Sequence, residues 1–252
     1  MDRMRLMKWA VVVPMANEEP DFEVFTAELA KILDQLSSGT VYFVVDKVSR
    51  DRTLKLCTEL SERDGRFITI WAPETRNVVD AYMRGYHEAY LAGNQFVIEM
   101  DAGMSHDPKA IPMFLSAFDQ GYDCVFGSRF IAGGSIADSP LNRRVLSRGG
   151  TLLANLLLGS RLHDMTSGFQ GFHARALEKL LNYRLLSRAH FYQTEVRYLM
   201  RDFRHVEVPI RYRAPSPRIS RKAISNALSV LAYYFMKRLA GKAVGIDGDS
   251  LV

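Results

Sequence analysis

Apolar strand-like runs alternate with amphipathic helical patterns along the chain as far as residue 130. The runs are apolar on both faces, which is typical of strands buried inside a parallel sheet. Regular alternation of such strands with helices predicts an α/β fold, in which helices cover both faces of a mostly parallel sheet. The predicted strands are 9–14, 40–46, 66–72, 96–101 and 124–130, and the predicted helices are 21–36, 51–63 and 77–93, with Asp51 and Asn77 as N-caps.

After residue 130 the pattern becomes richer in helix and in basic residues. We predict one α/β domain over residues 1–213, with halves 1–130 and 131–213, followed by a basic loop and an amphipathic C-terminal helix at 214–252. The predicted elements of this part are a loop at 131–142, a basic, apolar helix at 143–158, a loop to about 173, short helices near 174–182 and 194–202, a strand at 205–213 and a helix at 223–240.

The composition is that of an ordinary globular enzyme and argues against a disordered chain. Apolar residues make up 48% and charged residues 24% of the 252 residues. The net charge of +5 favours anionic partners such as phosphates, nucleotides or acidic lipid headgroups. Two cysteines without metal-ligand spacing indicate buried, reduced thiols, and no apolar stretch approaches the roughly 18 residues of a spanning helix. We therefore expect a cytoplasmic protein, with peripheral attachment to the cytoplasmic membrane face left open.

Three carboxylates follow predicted strands at the point where each strand ends: Glu18, Asp46 and Asp101. In open parallel sheets, the carboxyl ends of the strands form the crevice that binds ligands. Each residue alone could be an ordinary turn or helix cap, whereas three at one sheet edge favour a binding site. The sequence contains no glycine-rich dinucleotide fingerprint, no P-loop and no hydrolase elbow. A nucleotide site that uses carboxylates instead of glycine-rich backbone is the hypothesis that remains.

Motifs that cover nearly the whole chain, in order, resemble those of the family-2 glycosyltransferases of GT-A type. The resemblance is strongest to the dolichol-phosphate and polyprenol-phosphate mannose synthases, in the subgroup that lacks C-terminal membrane spans. The matching segments are VVVPMANEE (11–19), VVDKVSRDRT (44–53), EMDAGMSHDP (99–108), VFGSRF (125–130), LNRRVLSRGGTLLANLLLG (141–159), DMTSGFQGF (164–172) and EVPIRY (207–212). Each segment alone is weak evidence, and their shared order makes the resemblance specific.

The resemblance implies a set of residues for each ligand. The nucleotide-sugar would contact Pro14, Met15, Asn17, Glu18, Asp46, Asp101 and Ala102. A divalent cation, Mg²⁺ or Mn²⁺, would be held by Asp101 and Ser105, because hard cations prefer oxygen ligands. The acceptor phosphate would be held by Arg129, Arg143, Ser147, Arg213 and Arg218, since guanidinium groups fit phosphate oxygens. The catalytic residues would be Asp101, Asp164 and Arg129.

The chain departs from the family pattern at the metal motif. Family members usually have Asp-x-Asp where this sequence has Asp101-Ala102-Gly103, so the second carboxylate is missing and metal dependence is open. For Asp164 a positioning role is favoured, with a catalytic base and a structural cap as alternatives, because an anionic phosphate nucleophile needs little help from a base. For His106, which follows the metal motif, a structural role is favoured.

The resemblance implies an inverting glycosyltransferase that moves mannose from GDP-mannose to a polyprenyl or dolichyl phosphate. The alternatives are a UDP-sugar donor, a soluble hydroxyl acceptor, or a degenerate homologue that binds nucleotide-sugar without catalysis. Segments 143–158 and 224–241 combine apolar and basic residues, as helices at a membrane surface do. Core packing is the alternative for both segments, and a partner subunit is a further alternative for the second. Nucleic acid is not an expected partner.

Overall fold

The computed structural model describes residues 7–136, 141–213, 221–242 and 244–246, without the side chains of residues 141–143. The strands are β1 (Trp9–Met15), β2 (Gly39–Val45), β3 (Phe67–Trp71), β4 (Phe96–Glu99), β5 (Cys124–Ser128), β6 (Ser135–Ile136), β7 (Gln170–His173), β8 (His205–Pro209) and β9 (Arg211–Tyr212). The helices are α1 (Phe22–Gln35), α2 (Thr53–Arg63), α3 (Val78–Leu91), α4 (Ile111–Asp119), α5 (Leu141–Leu158), α6 (Ala174–Leu181), α7 (Tyr192–Leu199) and α8 (Arg221–Leu239), and a short 3₁₀ helix covers Pro108–Ala110.

A seven-stranded sheet in the order β3-β2-β1-β4-β7-β5-β8 forms the centre of the molecule. β1 pairs in parallel with β2 and β4, and β2 pairs in parallel with β3. β7 lies antiparallel between β4 and β5, and β8 continues the sheet in parallel with β5. The sheet is therefore mostly parallel, and it has helices on both faces, as the sequence pattern predicts.

The apolar strands bury both faces because successive side chains point to opposite sides of the sheet. Val11 and Val13 of β1 pack into one core layer with α1, whereas Val12 packs into the other layer with α3. Gly85 on α3 permits the close approach of that helix, since a Cβ there would lie 2.3 Å from a methyl group of Val12. Because β1 runs parallel to its neighbours β2 and β4, the carboxyl ends of all three strands lie at one edge of the sheet.

The predicted elements of the first half are all present, and Asn77 caps α3 by accepting from the N–H groups of Val79 and Asp80. The prediction of Asp51 as the cap of α2 is wrong by one residue, because Arg52 is the N-cap. Asp51 instead accepts from the N–H of Thr53 and braces the start of that helix. Both cysteines, Cys57 and Cys124, are buried, as expected.

The second half contains strands that the sequence pattern does not predict. β7 lies within the segment 159–173 that was predicted as a loop, and it occupies the middle of the sheet. It is only four residues long and contains Gly171, so its pattern is too short for periodicity to reveal. The strand predicted at 205–213 divides into β8 and β9, and β9 pairs with β6 in a separate two-stranded sheet.

The C-terminal helix α8 packs against α5 and against the main core. Its Val230, Leu231 and Tyr234 are buried in the core layer that also contains α3 and α7. Tyr234 donates a hydrogen bond to the buried Glu195 of α7 at 2.7 Å, which ties α8 to the domain. Among the helices of the described residues, none is both long enough and apolar enough to cross a membrane.

Candidate active site at the carboxyl edge of the sheet

The loops that follow β1 and β2 are joined to each other by hydrogen bonds through Asn17. Its N–H donates to Ser49 Oγ at 3.2 Å, and its Oδ1 accepts from the N–H of Arg50 at 2.9 Å. Asn17 has φ of 59°, a left-handed conformation that asparagine tolerates better than most residues. Hydrogen bonds therefore join the two predicted nucleotide-binding loops into one wall of the edge, and Asp46 closes a turn by accepting from the N–H of Val48.

Thr53 and Asp51 position the backbone of Glu18 in the same wall. The N–H of Glu18 donates to Thr53 Oγ1 at 2.8 Å, and Thr53 Oγ1 donates to Asp51 Oδ1 at 2.6 Å. The other oxygen of Asp51 accepts from the N–H of Glu19 at 3.0 Å. The start of α2 thus fixes where the side chain of Glu18 enters the edge.

The carboxylate of Glu18 lies in partly buried, negatively charged surroundings. Burial raises the pKa of Glu18 to about 7, and the negative charges of Asp21, Asp101 and Asp51 add to the effect. Its Oε2 lies 3.5 Å from the position that a Cβ on Gly103 would occupy, and Asp21 Oδ2 lies 3.9 Å from the same point. The loop after β4 therefore meets the loop after β1 at a group of carboxylates.

Asp101 stands two residues beyond β4 and is held on several sides. Tyr82 Oη donates to Asp101 Oδ1 at 2.8 Å, and the N–H of Asp101 donates to His106 Nδ1 at 3.1 Å. The side chain of Asp101 remains 37% exposed, so its carboxylate is fixed in direction and still open to a ligand. A Cβ on Gly168 would lie 3.4 Å from Asp101 Oδ2, which places the segment 164–168 beside this carboxylate.

His106 is a fully buried neighbour of Asp101, stacked on Phe169 at 5.0 Å between ring centroids. Burial lowers the pKa of His106, although the charge of Asp101 acts in the opposite direction. Because Nδ1 accepts a hydrogen bond, the neutral ring carries its proton on Nε2. Nε2 lies 3.9 Å from Asp101 Oδ2 and has no hydrogen-bond partner among the described residues.

A buried layer of tyrosines around Glu99 holds in place the tyrosine that donates to Asp101. Tyr192 Oη donates to Glu99 Oε1 at 2.7 Å, and Tyr86 Oη donates to Oε2. Burial raises the pKa of Glu99 well above its ordinary value. The rings of Tyr82 and Tyr192 lie 5.5 Å apart, so the donor to Asp101 is itself locked by packing.

Arg129 and Asp164 form a buried ion pair at the end of β5. Arg129 Nε and Nη2 donate to the two oxygens of Asp164 at 2.7 and 2.8 Å, and Nη2 also donates to Thr166 Oγ1 at 2.7 Å. Burial raises the pKa of Asp164, but the hydrogen bonds and charge of Arg129, with the charge of Arg197, outweigh it and leave the pKa below its ordinary value. Asp164 is therefore an ionised anchor for Arg129, with no exposed surface.

Arg197 holds the segment around Asp164 in place, and the sequence reasoning did not identify it. This fully buried arginine of α7 donates to the backbone carbonyls of Asp164, Gly127 and Ser167. It joins the end of β5 to the segment 164–168 that borders Asp101. The signal available in the sequence was the presence of Gln193, Glu195 and Arg197 on a short helix, but nothing in that pattern predicts burial.

The remaining residues implied by the resemblance lie at several places on and away from this edge. The N–H of Arg213 donates to the carbonyl of Ser105 at 3.0 Å, and its Nη2 lies 3.5 Å from Asp107 Oδ2, so Arg213 faces the loop after β4. Ser147 is half-buried on α5, Pro14 and Ala102 are half-buried at the edge, and Met15 is buried in the core. The side chain of Arg143 and all of Arg218 lie outside the described residues.

The donor set at this edge suits a divalent cation that takes part of its shell from a ligand. In the part of the chain that the structure describes, no three His, Cys, Asp or Glu side chains are grouped to hold a metal by themselves. The carboxylates of Asp101 and Glu18 and the hydroxyl of Ser105 are nevertheless hard oxygen donors. Mg²⁺ is commonly bound through one or two carboxylates together with substrate phosphates and water, and this set fits that pattern.

The mostly parallel sheet with carboxylates at its carboxyl edge is the architecture of GT-A-type transferases. Glucosyl-3-phosphoglycerate synthase from Mycobacterium tuberculosis, solved with Mn²⁺, UDP-glucose and phosphoglyceric acid, shares it with a TM-score of 0.64. That likeness covers 90% of this chain and 80% of the other at 17% identity, so it shows the fold alone.

The chain belongs to the glycosyl transferase family 2, whose sequence model matches residues 10–181. The polyprenol monophosphomannose synthase of Mycolicibacterium smegmatis is 29% identical over 219 residues, which cover 86% of this chain and 81% of that protein. The dolichol-phosphate mannosyltransferase of Pyrococcus furiosus is 32% identical over 168 residues, 67% of this chain and 46% of that longer protein. The protein is therefore a glycosyltransferase, and the resemblance seen in its motifs is confirmed.

Proposed function

We propose that the protein transfers mannose from GDP-mannose to a polyprenyl phosphate with inversion at the anomeric carbon. The observation that carries the proposal is the junction of two centres at the carboxyl edge of the sheet. Asp101, suited to the donor diphosphate, adjoins Gly168, which belongs to the segment whose Asp164 and Thr166 hold Arg129. The curated relatives that match most of the chain are named for mannose transfer to polyprenyl phosphates, which supports this donor and this acceptor.

On the donor side, the wall formed by the loops after β1 and β2 would hold the nucleotide. Asn17 and Asp46 would contact the base and ribose, because amide and carboxylate oxygens accept hydrogen bonds from ring N–H and hydroxyl groups. Pro14 and Met15 would contribute through backbone at the end of β1. Asp101 and Ala102 would face the diphosphate, with Ser105 beside them. A divalent cation at Asp101 would neutralise the charge that develops on the departing nucleoside diphosphate.

On the acceptor side, Arg129 would hold the lipid phosphate. Asp164 and Thr166 occupy Nε and Nη2 of its guanidinium, and among the described residues Nη1 has no acceptor. Arg143, Ser147, Arg213 and Arg218 would add further donors to the phosphate. A phosphate oxygen is already anionic, so it can attack the anomeric carbon without a base. Asp164 would therefore position Arg129 and would not remove a proton.

The reaction then depends on orientation and charge stabilisation. A phosphate oxygen of the acceptor attacks the anomeric carbon as the bond to the nucleoside diphosphate breaks, which gives a β-linked polyprenyl-phosphate sugar. Arg129 holds the nucleophile in line, and Asp101 faces the leaving group. Positioning of two reactants and stabilisation of a leaving anion are large terms in enzymatic rate enhancement.

The test is transfer of radiolabelled sugar into an organic-extractable lipid, with GDP-mannose, UDP-glucose and related donors supplied separately. We expect a lipid product with GDP-mannose and polyprenyl phosphate, at least about 10-fold faster than with any other donor. Product from a UDP-sugar alone would refute the donor, and transfer only to a soluble hydroxyl would refute the acceptor. Nucleotide binding without transfer to any acceptor would indicate a degenerate transferase.

We also propose that α5 and α8 form a membrane-facing surface next to the acceptor site. Leu152 and Leu156 of α5 are each 71% exposed, and Met236 and Leu239 of α8 are 61% and 64% exposed. Basic side chains of the same helices, including Arg148 and Lys237, accompany them. Exposed apolar side chains that are surrounded by basic side chains are typical of helices that lie on an anionic membrane surface.

The variant Leu152→Ser/Leu156→Ser is expected to lower partitioning onto phosphatidylglycerol vesicles by about 10-fold, because each leucine loses apolar area that would enter the headgroup region. Co-sedimentation with vesicles measures the effect. The matched control is Val24→Ser/Leu91→Ser, since these residues are also exposed, at 59% and 66%, but lie on α1 and α3. Equal vesicle binding by the two double variants and the unaltered protein would refute the surface.

A further inference from the structure

The missing second carboxylate of the metal motif leaves a defined position in the structure. Gly103 has φ of +70°, which is open to glycine and tolerable for Asp or Asn. A Cβ at this position would point toward the loop after β1, with Glu18 Oε2 at 3.5 Å and Asp21 Oδ2 at 3.9 Å. The space that an aspartate at 103 would reach into is thus already occupied by a carboxylate from another strand end.

The side chain of Glu18 is held at this position by its backbone and not by hydrogen bonds to its carboxylate. The N–H of Glu18 is bound to Thr53 Oγ1 at 2.8 Å, and the flanking residues Asn17 and Glu19 are bound to Ser49 and Asp51. Among the described residues, no donor lies on the carboxylate of Glu18, and no Lys or Arg forms an ion pair with Glu18, Asp21 or Asp101. The carboxylate of Glu18 is therefore half-buried, without a donor or a positive partner among the described residues, and available to a cation.

His106 is a second, independent sign of a ligand beside Asp101. It is fully buried, and its Nδ1 is occupied by the N–H of Asp101. Its Nε2 has no hydrogen-bond partner in the described structure and lies 3.9 Å from Asp101 Oδ2. A buried N–H without an acceptor costs about 1–3 kcal/mol. Asp101 Oδ2, drawn closer to Nε2 when the carboxylate binds a cation, would supply that acceptor.

We propose that Glu18 supplies the second carboxylate of the cation–diphosphate site, in the place of the aspartate that family members usually have at the position of Gly103. The inference rests on the proposed function, because the cation would be the one that binds with the donor diphosphate. Asp101 from the end of β4 and Glu18 from the end of β1 then contribute the two protein charges, and the diphosphate contributes the rest of the shell. Glu18 is therefore a cation ligand, and not the direct nucleotide-sugar contact that the resemblance implies.

The test measures how much Mn²⁺ strengthens nucleotide binding. Isothermal titration with GDP and with UDP is carried out in the presence of Mn²⁺ and in the presence of EDTA. For each protein it gives the ratio of the Kd in EDTA to the Kd in Mn²⁺. We expect Glu18→Gln to reduce this ratio by at least 10-fold and to leave the Kd in EDTA within about 3-fold. The double variant Glu18→Ala/Gly103→Asp is expected to restore the ratio, because the short side chain at position 18 leaves the space open and the new aspartate returns a carboxylate to it.

Glu23→Gln is the matched control, since Glu23 is an exposed glutamate of α1 next to this loop and should behave as the unaltered protein. A ratio unchanged in Glu18→Gln would overturn the inference while leaving the proposed function intact. Equal loss of nucleotide binding with and without Mn²⁺ would also overturn it and would make Glu18 a direct nucleotide ligand. Absence of any Mn²⁺ effect in the unaltered protein would refute the cation site itself, including the role of Asp101 in it.

Discussion

Replacing Asp101 by Asn is expected to lower kcat/KM for sugar transfer by about 10²–10³-fold and to leave the melting temperature nearly unchanged. The loss follows because the neutral amide would bind the divalent cation only weakly, and that cation would neutralise the charge on the departing diphosphate. The fold should persist because the amide of the new side chain retains an oxygen that can accept from Tyr82 Oη, and the backbone N–H still reaches His106 Nδ1. Transfer of labelled sugar into lipid and thermal unfolding followed by circular dichroism are the two measurements.

The control for this change is Asp119→Asn at the exposed end of α4, which should retain full activity. If Asp101→Asn retained more than about a third of the activity, the edge would not be the donor site. If the melting temperature fell by more than a few degrees, the loss of activity would reflect the fold and not the chemistry.

Replacing Asp164 by Asn is expected to destabilise the protein by about 3–5 kcal/mol, because it leaves the buried guanidinium of Arg129 without its countercharge. For a chain of this length, that change corresponds to a drop in melting temperature of roughly 6–20 °C. The side chains of Asp164 and Arg129 are 0% and 4% exposed, so little solvent reaches the pair to screen the unpaired charge. Urea unfolding followed by fluorescence measures the free energy of unfolding.

The same pair should give the protein an acid-sensitive component of stability. The folded-state pKa of Asp164 lies below its ordinary value of 3.8, so around that pH the unfolded chain binds more protons than the folded one. The contribution is therefore complete above about pH 4–5 and is lost as the pH falls through the folded-state pKa. The difference in stability between the unaltered protein and Asp164→Asn should accordingly shrink in acid.

The double variant Arg129→Met/Asp164→Leu tests whether the loss comes from an unpaired charge. Removing both charges should cost less stability than Asp164→Asn alone, since apolar replacements of a buried pair are often tolerated. Together with the single variants Arg129→Met and Asp164→Leu, this double variant forms a thermodynamic cycle that isolates the pair. Equal stability of Asp164→Asn and the unaltered protein would show that Arg129 finds another partner.

The fold could be predicted in large part because its signals are local. Each strand of the first half is a continuous apolar run, and each helix shows its own periodicity, so these elements are visible without knowledge of their neighbours. Asp101 could be identified as a site residue for the same reason, because it terminates such a run. β7 could not, since its four residues become a strand only through pairing with β4 and β5.

By itself, the sequence determined the α/β class, the order of the main elements, the family and the position of Asp101 at a strand end. Only the tertiary structure decided which charges meet. The pairing of Asp164 with Arg129, the burial of Arg197 and the approach of Glu18 to Gly103 join residues that are far apart in the chain. Such contacts depend on sheet order and loop geometry, which no local pattern encodes, whereas hydrophobic periodicity is written into each segment.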